Sequence, residues 1–168
     1  MSAETDNQVD ANSFAGKTLL IVDDDRGLRE ALSIWLGDLF PGLAIAEAGS
    51  GEEALKLFCR DQGENGQKIQ ADGAHGKAVD VVLMDIRLPG MNGIEATRRI
   101  REDSPDARVI ILSQYNGTEF HRKAEEAGAA AYILKRQSMR ELLPVIERAL
   151  GAEAVVRNAA AIVQRGKR

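Results

Sequence analysis

Short apolar runs in this chain stop abruptly at polar or charged side chains. Thr18-Leu19-Leu20-Ile21-Val22 stops at Asp23-Asp24-Asp25, and Val79-Asp80-Val81-Val82-Leu83-Met84 stops at Asp85. Arg108-Val109-Ile110-Ile111-Leu112 stops at Ser113, and Ala130-Ala131-Tyr132-Ile133-Leu134 stops at Lys135. Continuous rather than alternating apolarity predicts strands buried on both faces, as in a parallel sheet. Parallel strands end on a common edge, so residues far apart in sequence would converge there. A charge closing a buried strand is costly unless something pairs with it. The convergence supplies candidate partners, and chemistry in open α/β sheets gathers at that edge.

Helical patterns fill the intervals. Leu28, Ala31, Leu32, Trp35, Leu36 and Leu39 form a stripe that Pro41-Gly42 ends. Leu43–Ala48 reads as a weaker second strand. Ser50-Gly51-Glu52-Glu53 has capping-box spacing and precedes Ala54, Leu55 and Phe58. Ile94, Thr97 and Ile100 share a face. Residues 118–127 form a polar helix ending at Gly128, a natural C-cap. Ser138-Met139-Arg140-Glu141 is a second capping box. It opens the stripe Met139, Leu142, Leu143, Ile146, Ala149 and Leu150, in which Pro144 should bend or loosen the helix. Alternating strand–helix units predict an α/β fold: a doubly wound (βα)5 parallel five-stranded sheet with helices on both faces.

The chain's 168 residues suffice for a single domain, expected over 17–150. Residues 1–16 are polar, with isolated Val9 and Phe14, and read as a disordered tail. Residues 60–78 lose the pattern, with glycines at 63, 66, 73 and 76 and only Ile69 as a large apolar residue. They read as a flexible insertion before the third strand, at the edge opposite the polar strand ends. Residues 151–168 read as a basic helical tail or a truncated linker. A net charge of −4 argues against a nucleic-acid-binding body, and the basic tail lacks interleaved aromatics. Cys59 is the only cysteine, so no intrachain disulfide forms, and it reads as a small buried hydrophobe. No stretch has the length of an apolar membrane span, and no signal peptide is visible. The expectation is a cytoplasmic protein without membrane contact.

The polar strand ends define a chemistry. Asp23, Asp24 and Asp85 together repel unless a cation joins them. Carboxylate oxygens plus water suit Mg²⁺, which keeps part of its shell for phosphate oxygens. The Lys135 ammonium and the Ser113 hydroxyl can neutralise and orient a phosphoryl group. A carboxylate can itself act as nucleophile and form an aspartyl-phosphate.

Those residues also carry a resemblance. Leu20-Ile21-Val22-Asp23-Asp24, Met84-Asp85-Ile86-Arg87-Leu88-Pro89-Gly90-Met91-Asn92-Gly93, Leu112-Ser113 and Tyr132-Ile133-Leu134-Lys135 resemble the response-regulator receiver domain of two-component signalling, the CheY-like family. The resemblance covers about residues 17–150 and implies a flavodoxin-like fold. It implies Asp85 as phosphoacceptor from the phosphohistidine of a sensor histidine kinase. It implies Mg²⁺ held by Asp24, Asp85 and the backbone carbonyl of Arg87, with Asp23 acting largely through water. Lys135 would pair with the phosphoryl group, and Ser113 would move toward it as Tyr132 rotates. The surface of the fourth helix, fifth strand and fifth helix would then change, for dimerisation, partner docking or control of an output. Gly93-Ile94-Glu95-Ala96-Thr97-Arg98-Arg99-Ile100-Arg101 and Ala127-Gly128-Ala129 resemble receivers of LuxR/NarL-type transcription regulators. DNA contact would then run through an output domain outside this chain.

The sequence departs from the usual receiver at Arg136, where proline is common, and at Gln114 and Tyr115, which with Arg87 could crowd the phosphoryl group and slow attack by water. Competing readings are a stand-alone receiver acting through protein contacts, a partner-binding pseudo-receiver, and a phosphatase of the haloacid-dehalogenase kind. The last needs a spaced Asp-x-Asp pair after the first strand, whereas Asp23 and Asp24 are adjacent. An enzyme is not expected beyond self-phosphorylation and self-dephosphorylation. Asp25 is expected to cap the first helix, Trp35 to pack in the core, and His121 to be solvated. His75 has no assigned role.

Overall fold

The computed structural model describes residues 14–59, 79–136 and 139–151, apart from the side chains of Cys59, Met139 and Arg140. The expected tail with Val9, the 60–78 insertion with His75, the Ser138 cap and the segment from 152 onward lie outside the described residues.

Strands β1 (Thr18–Val22), β2 (Ala44–Ala48), β3 (Val81–Met84), β4 (Arg108–Ser113) and β5 (Ala131–Leu134) alternate with helices α1 (Arg26–Leu39), α2 (Gly51–Cys59), α3 (Gly93–Asp103), α4 (Thr118–Glu126) and α5 (Met139–Leu150). The strands form one sheet in the order β2-β1-β3-β4-β5, with every pairing parallel. This is the expected doubly wound architecture. The winding direction reverses between β1 and β3, where such sheets place their ligands.

The unbroken apolar runs are explained by a core on each face. Leu19, Ile21, Leu83, Ile110 and Leu112 pack against Leu32 and Leu36 of α1 and Leu142 and Ile146 of α5. Their neighbours Leu20, Val22, Val82, Met84 and Ile111 pack against Ala54 and Phe58 of α2 and Ile94 and Ile100 of α3. Each fully buried Leu or Ile contributes roughly 1.5–3 kcal/mol.

The helix signals hold with small differences. Asp25 caps α1 by accepting from Leu28 N–H at 3.1 Å. The Ser50 hydroxyl accepts from Glu53 N–H at 3.1 Å, but Glu53 reaches back to Gly49 N–H at 2.7 Å, one residue before the box predicts. Gly128 follows α4 with φ +86. In the α1 stripe Leu32 and Leu36 are fully buried, Leu28, Trp35 and Leu39 line the rim, and Ala31 faces solvent. The six positions span a wider arc than the line of contact with the sheet. Helix α5 runs through Pro144, which sits on its exposed face.

Packing among the described residues begins at Phe14 rather than at residue 17. The Phe14 ring is buried and meets Phe40 edge-on, with centroids 5.0 Å apart at 86°. Its carbonyl accepts from Lys17 N–H at 3.0 Å. A single aromatic in a polar segment has no periodicity, so nothing in its neighbours marks it as core.

Candidate functional site

Strand register assembles the site. Val22 lies opposite Met84, and Ser113 opposite Leu134. The ladder continues past the strand ends: Asp85 N–H bonds Val22 O at 2.8 Å, Asp23 N–H bonds Ala48 O at 3.1 Å and Lys135 N–H bonds Ser113 O at 2.7 Å. The residue that closes each strand is therefore fixed through its own backbone. Gly93 is needed at the start of α3, because a Cβ there would lie 1.9 Å from the Asp85 carbonyl oxygen.

Asp23, Asp24 and Asp85 bring carboxylate oxygens within 4.8 Å of one another. Asp23 and Asp85 are buried, at 2% and 6% exposure, while Asp24 is open to solvent. Lys135 Nζ reaches between the buried pair, 2.5 Å from Asp23 Oδ2 and 3.3 Å from Asp85 Oδ2. Asp23 Oδ1 accepts from Asp25 N–H at 3.0 Å, and its carbonyl accepts from the Arg29 guanidinium at 2.7 Å. Asp85 Oδ1 accepts from Ile86 N–H at 2.9 Å.

Burial pushes the Asp85 pKa above the usual carboxylate value. The Asp23 charge adds to this, against the opposing pull of Lys135 and Ile86 N–H. Burial alone would lower the pKa of Lys135, but the bond to Asp23 and the charges of Asp85 and Asp23 outweigh it, and the net shift is upward. Lys135 is thus a firmly charged ammonium holding together two carboxylates that crowd each other. Those carboxylates, with Asp24, Arg87, Gln114 and Tyr115, line a cavity of 370 Å³. A donor set of hard oxygens open on its Asp24 side fits a small divalent cation with water in part of its shell.

Ser113 and Tyr132 adjoin this cavity without lining it. Ser113 is fully buried, and its Oγ accepts from Tyr115 N–H at 3.1 Å. The Tyr132 hydroxyl donates to the Tyr115 carbonyl at 2.7 Å. Arg87 donates to the Tyr115 hydroxyl at 2.8 Å, which joins two of the residues lining the cavity. The Tyr115 ring stacks on Phe120 at 4.9 Å. His121 is exposed as expected, yet its ring lies 3.9 Å from that of Tyr132. Sequence reasoning missed Phe120, the His121 stack and the Arg29 brace. Each depends on which way a side chain turns.

The chain matches the family model for the response regulator receiver domain over residues 19–147. It belongs to that family. The receiver is 34% identical over 138 residues to the transcriptional activator protein ExaE of Pseudomonas putida, covering 82% of this chain and 57% of that one. It is 34% identical over 128 residues to the response regulator UvrY of Escherichia coli K12, covering 76% and 51%. Among solved structures it is similar to a two-component response regulator of the LuxR family from Aurantimonas sp. SI85-9A1, at 33% identity and TM-score 0.65 over 89% of this chain and 96% of that one. It is also similar to the response regulator TrrA of Thermotoga maritima in complex with Mg(2+)-BeF, at 29% identity and TM-score 0.62 over 79% and 98%. The receiver spans about half the length of the curated relatives it matches. Family and fold are those expected, and the family is a signalling one. Among the described residues no helix is long and apolar enough to cross a membrane.

Proposed function

We propose that this receiver takes a phosphoryl group on Asp85 from the phosphohistidine of a sensor kinase. The observation carrying this reading is the buried Asp85 carboxylate, bridged by Lys135 to Asp23 beside an open cavity. An Asp85 Oδ attacks phosphorus, the P–N bond to the kinase imidazole breaks, and its electron pair leaves with the ring nitrogen. Asp24, Asp85 and the Arg87 carbonyl would hold Mg²⁺, with Asp23 acting through water. The ion would neutralise oxygens of the transferring group. Lys135 would turn from the carboxylates to a phosphoryl oxygen. Ser113 would release Tyr115 N–H and donate to another, freeing Tyr132 to rotate. The face of α4, β5 and α5 would then change, a local charge event read out by packing.

Dimerisation, docking of a partner protein, or release of a DNA-binding output on a further segment would each use that face. The LuxR-family likeness favours the last, in a cytoplasmic protein of which residues 14–150 form the receiver. The test is mass spectrometry after incubation with Mg²⁺ and acetyl phosphate. Wild type should gain a phosphoryl group, and Asp85→Asn should gain none. Equal labelling of the two proteins would refute the assignment.

A further inference from the structure

Helix α2 contributes no residue to the carboxylate cluster, yet its first turn is joined to the loop that follows Asp85. Glu52 Oε1 accepts from Met91 N–H at 2.8 Å. A Cβ on Gly51 would come within 2.9 Å of the Met91 carbonyl oxygen, so helix and loop touch through their backbones. Gly90 has φ +73, and a Cβ there would meet Glu52 Oε1 at 2.6 Å. The neighbouring Glu53 is engaged in closing its own helix through Gly49 N–H. The two adjacent glutamates thus act in different directions, one within α2 and one across to the loop. At its base the loop is closed by Gly93 N–H on Ile86 O at 2.9 Å. Glu52 is its fixed point on the far side of Arg87.

We infer that Glu52 is a positioning residue, which holds the Ile86–Gly93 loop so that the Arg87 carbonyl is presented to the cation. The inference rests on the metal reading above. Without the Glu52 bond the loop must be ordered when the ion binds, and the cost appears as weaker binding. A hydrogen bond of this kind contributes on the order of a few-fold to tenfold in affinity. Glutamine keeps an oxygen acceptor for Met91 N–H, and alanine removes it.

The test is Mg²⁺ titration by calorimetry of wild type, Glu52→Ala and Glu52→Gln, with amide hydrogen exchange at Met91 in Mg²⁺-free buffer. The expected result is a dissociation constant raised about threefold to tenfold in Glu52→Ala. Met91 exchange should be faster in the same variant, with both readouts near wild type in Glu52→Gln. Urea melts that coincide for the three proteins would separate this effect from a general loss of stability. An unchanged affinity in Glu52→Ala overturns the inference, as does equal weakening by alanine and glutamine, or a wild type that binds no Mg²⁺. A wild type that binds Mg²⁺ but takes no phosphoryl group refutes the phosphoacceptor reading instead, and the comparison of affinities still decides the role of Glu52.

Discussion

Replacing Lys135 by methionine keeps most of the side chain's length and removes its charge. The ammonium lies 2.5 Å from Asp23 and 3.3 Å from Asp85, and its side chain is only 13% exposed. These contacts have gross Coulomb energies of roughly 7 and 5 kcal/mol at an effective dielectric of 20. Most of this offsets the desolvation of the ions, and removing one partner of a buried pair typically costs about 3–5 kcal/mol. Asp24 opens one side of the cluster to water, so the expected loss lies near the lower end, about 3 kcal/mol. Urea unfolding in EDTA should show it. A second arm tests the cause. Mg²⁺ at a hundred times its Kd stabilises a folded protein by about 2.7 kcal/mol. In Lys135→Met the ammonium no longer competes for the Asp23 and Asp85 oxygens, so a given Mg²⁺ concentration should stabilise the variant more than wild type. Equal stability of the two proteins in EDTA, or equal Mg²⁺ stabilisation, would refute the view of Lys135 as the cluster's standing cation.

Three further outcomes are expected. Because the folded Asp85 pKa is raised, the folded state holds its proton to higher pH than the unfolded chain does. Mg²⁺-free stability should therefore decline as pH climbs from the ordinary carboxylate range through the raised pKa; Asp85→Asn should make that decline shallower in urea melts taken across pH, leaving the part due to Glu147, whose carboxyl pKa burial also raises. Phe14→Ala should cost about 3 kcal/mol, at the low end for a buried phenylalanine near a chain end, and chemical denaturation measures it. Tyr115→Ala and Gln114→Ala should shorten the aspartyl-phosphate half-life on the order of threefold to tenfold, a barrier lowered by about 0.7–1.4 kcal/mol. Phosphate release after removal of acetyl phosphate reports this, and unchanged half-lives would sink the idea of a crowded cavity.

The sheet was legible because burial on both faces leaves its strands with unbroken apolar runs. Thr18–Val22 and Arg108–Ser113 match the expected bounds. β3 and β5 are shorter than the apolar stretches around them, since Val79, Asp80 and Ala130 lead into the ladder rather than sit within it. The site was legible for a related reason. A charge at the end of a buried strand is unusual enough to be noticed, and parallel topology fixes where it goes. What sequence could not supply was orientation. Whether Ser113 faces the cavity or the Tyr115 amide, and whether His121 lies over Tyr132, depends on rotamers that no spacing encodes. Phe14 was missed because a lone contact across the fold leaves no pattern. Glu52 was hidden behind Glu53, whose capping role accounted for the motif by itself.

The backbone bond from Lys135 N–H to Ser113 O has a mechanical consequence. It fastens the ends of β4 and β5 together, so the main chains of Ser113 and Lys135 cannot slide independently. Any rearrangement must then be taken up beyond that fastening, by side-chain rotation and by the Gln114–Gly117 connection leading into α4. The sheet edge would act as an anvil and the connection as the moving part. In such a device the amplitude of the response is set by the freedom of a four-residue hinge, and strengthening the sheet itself would leave the signal unchanged.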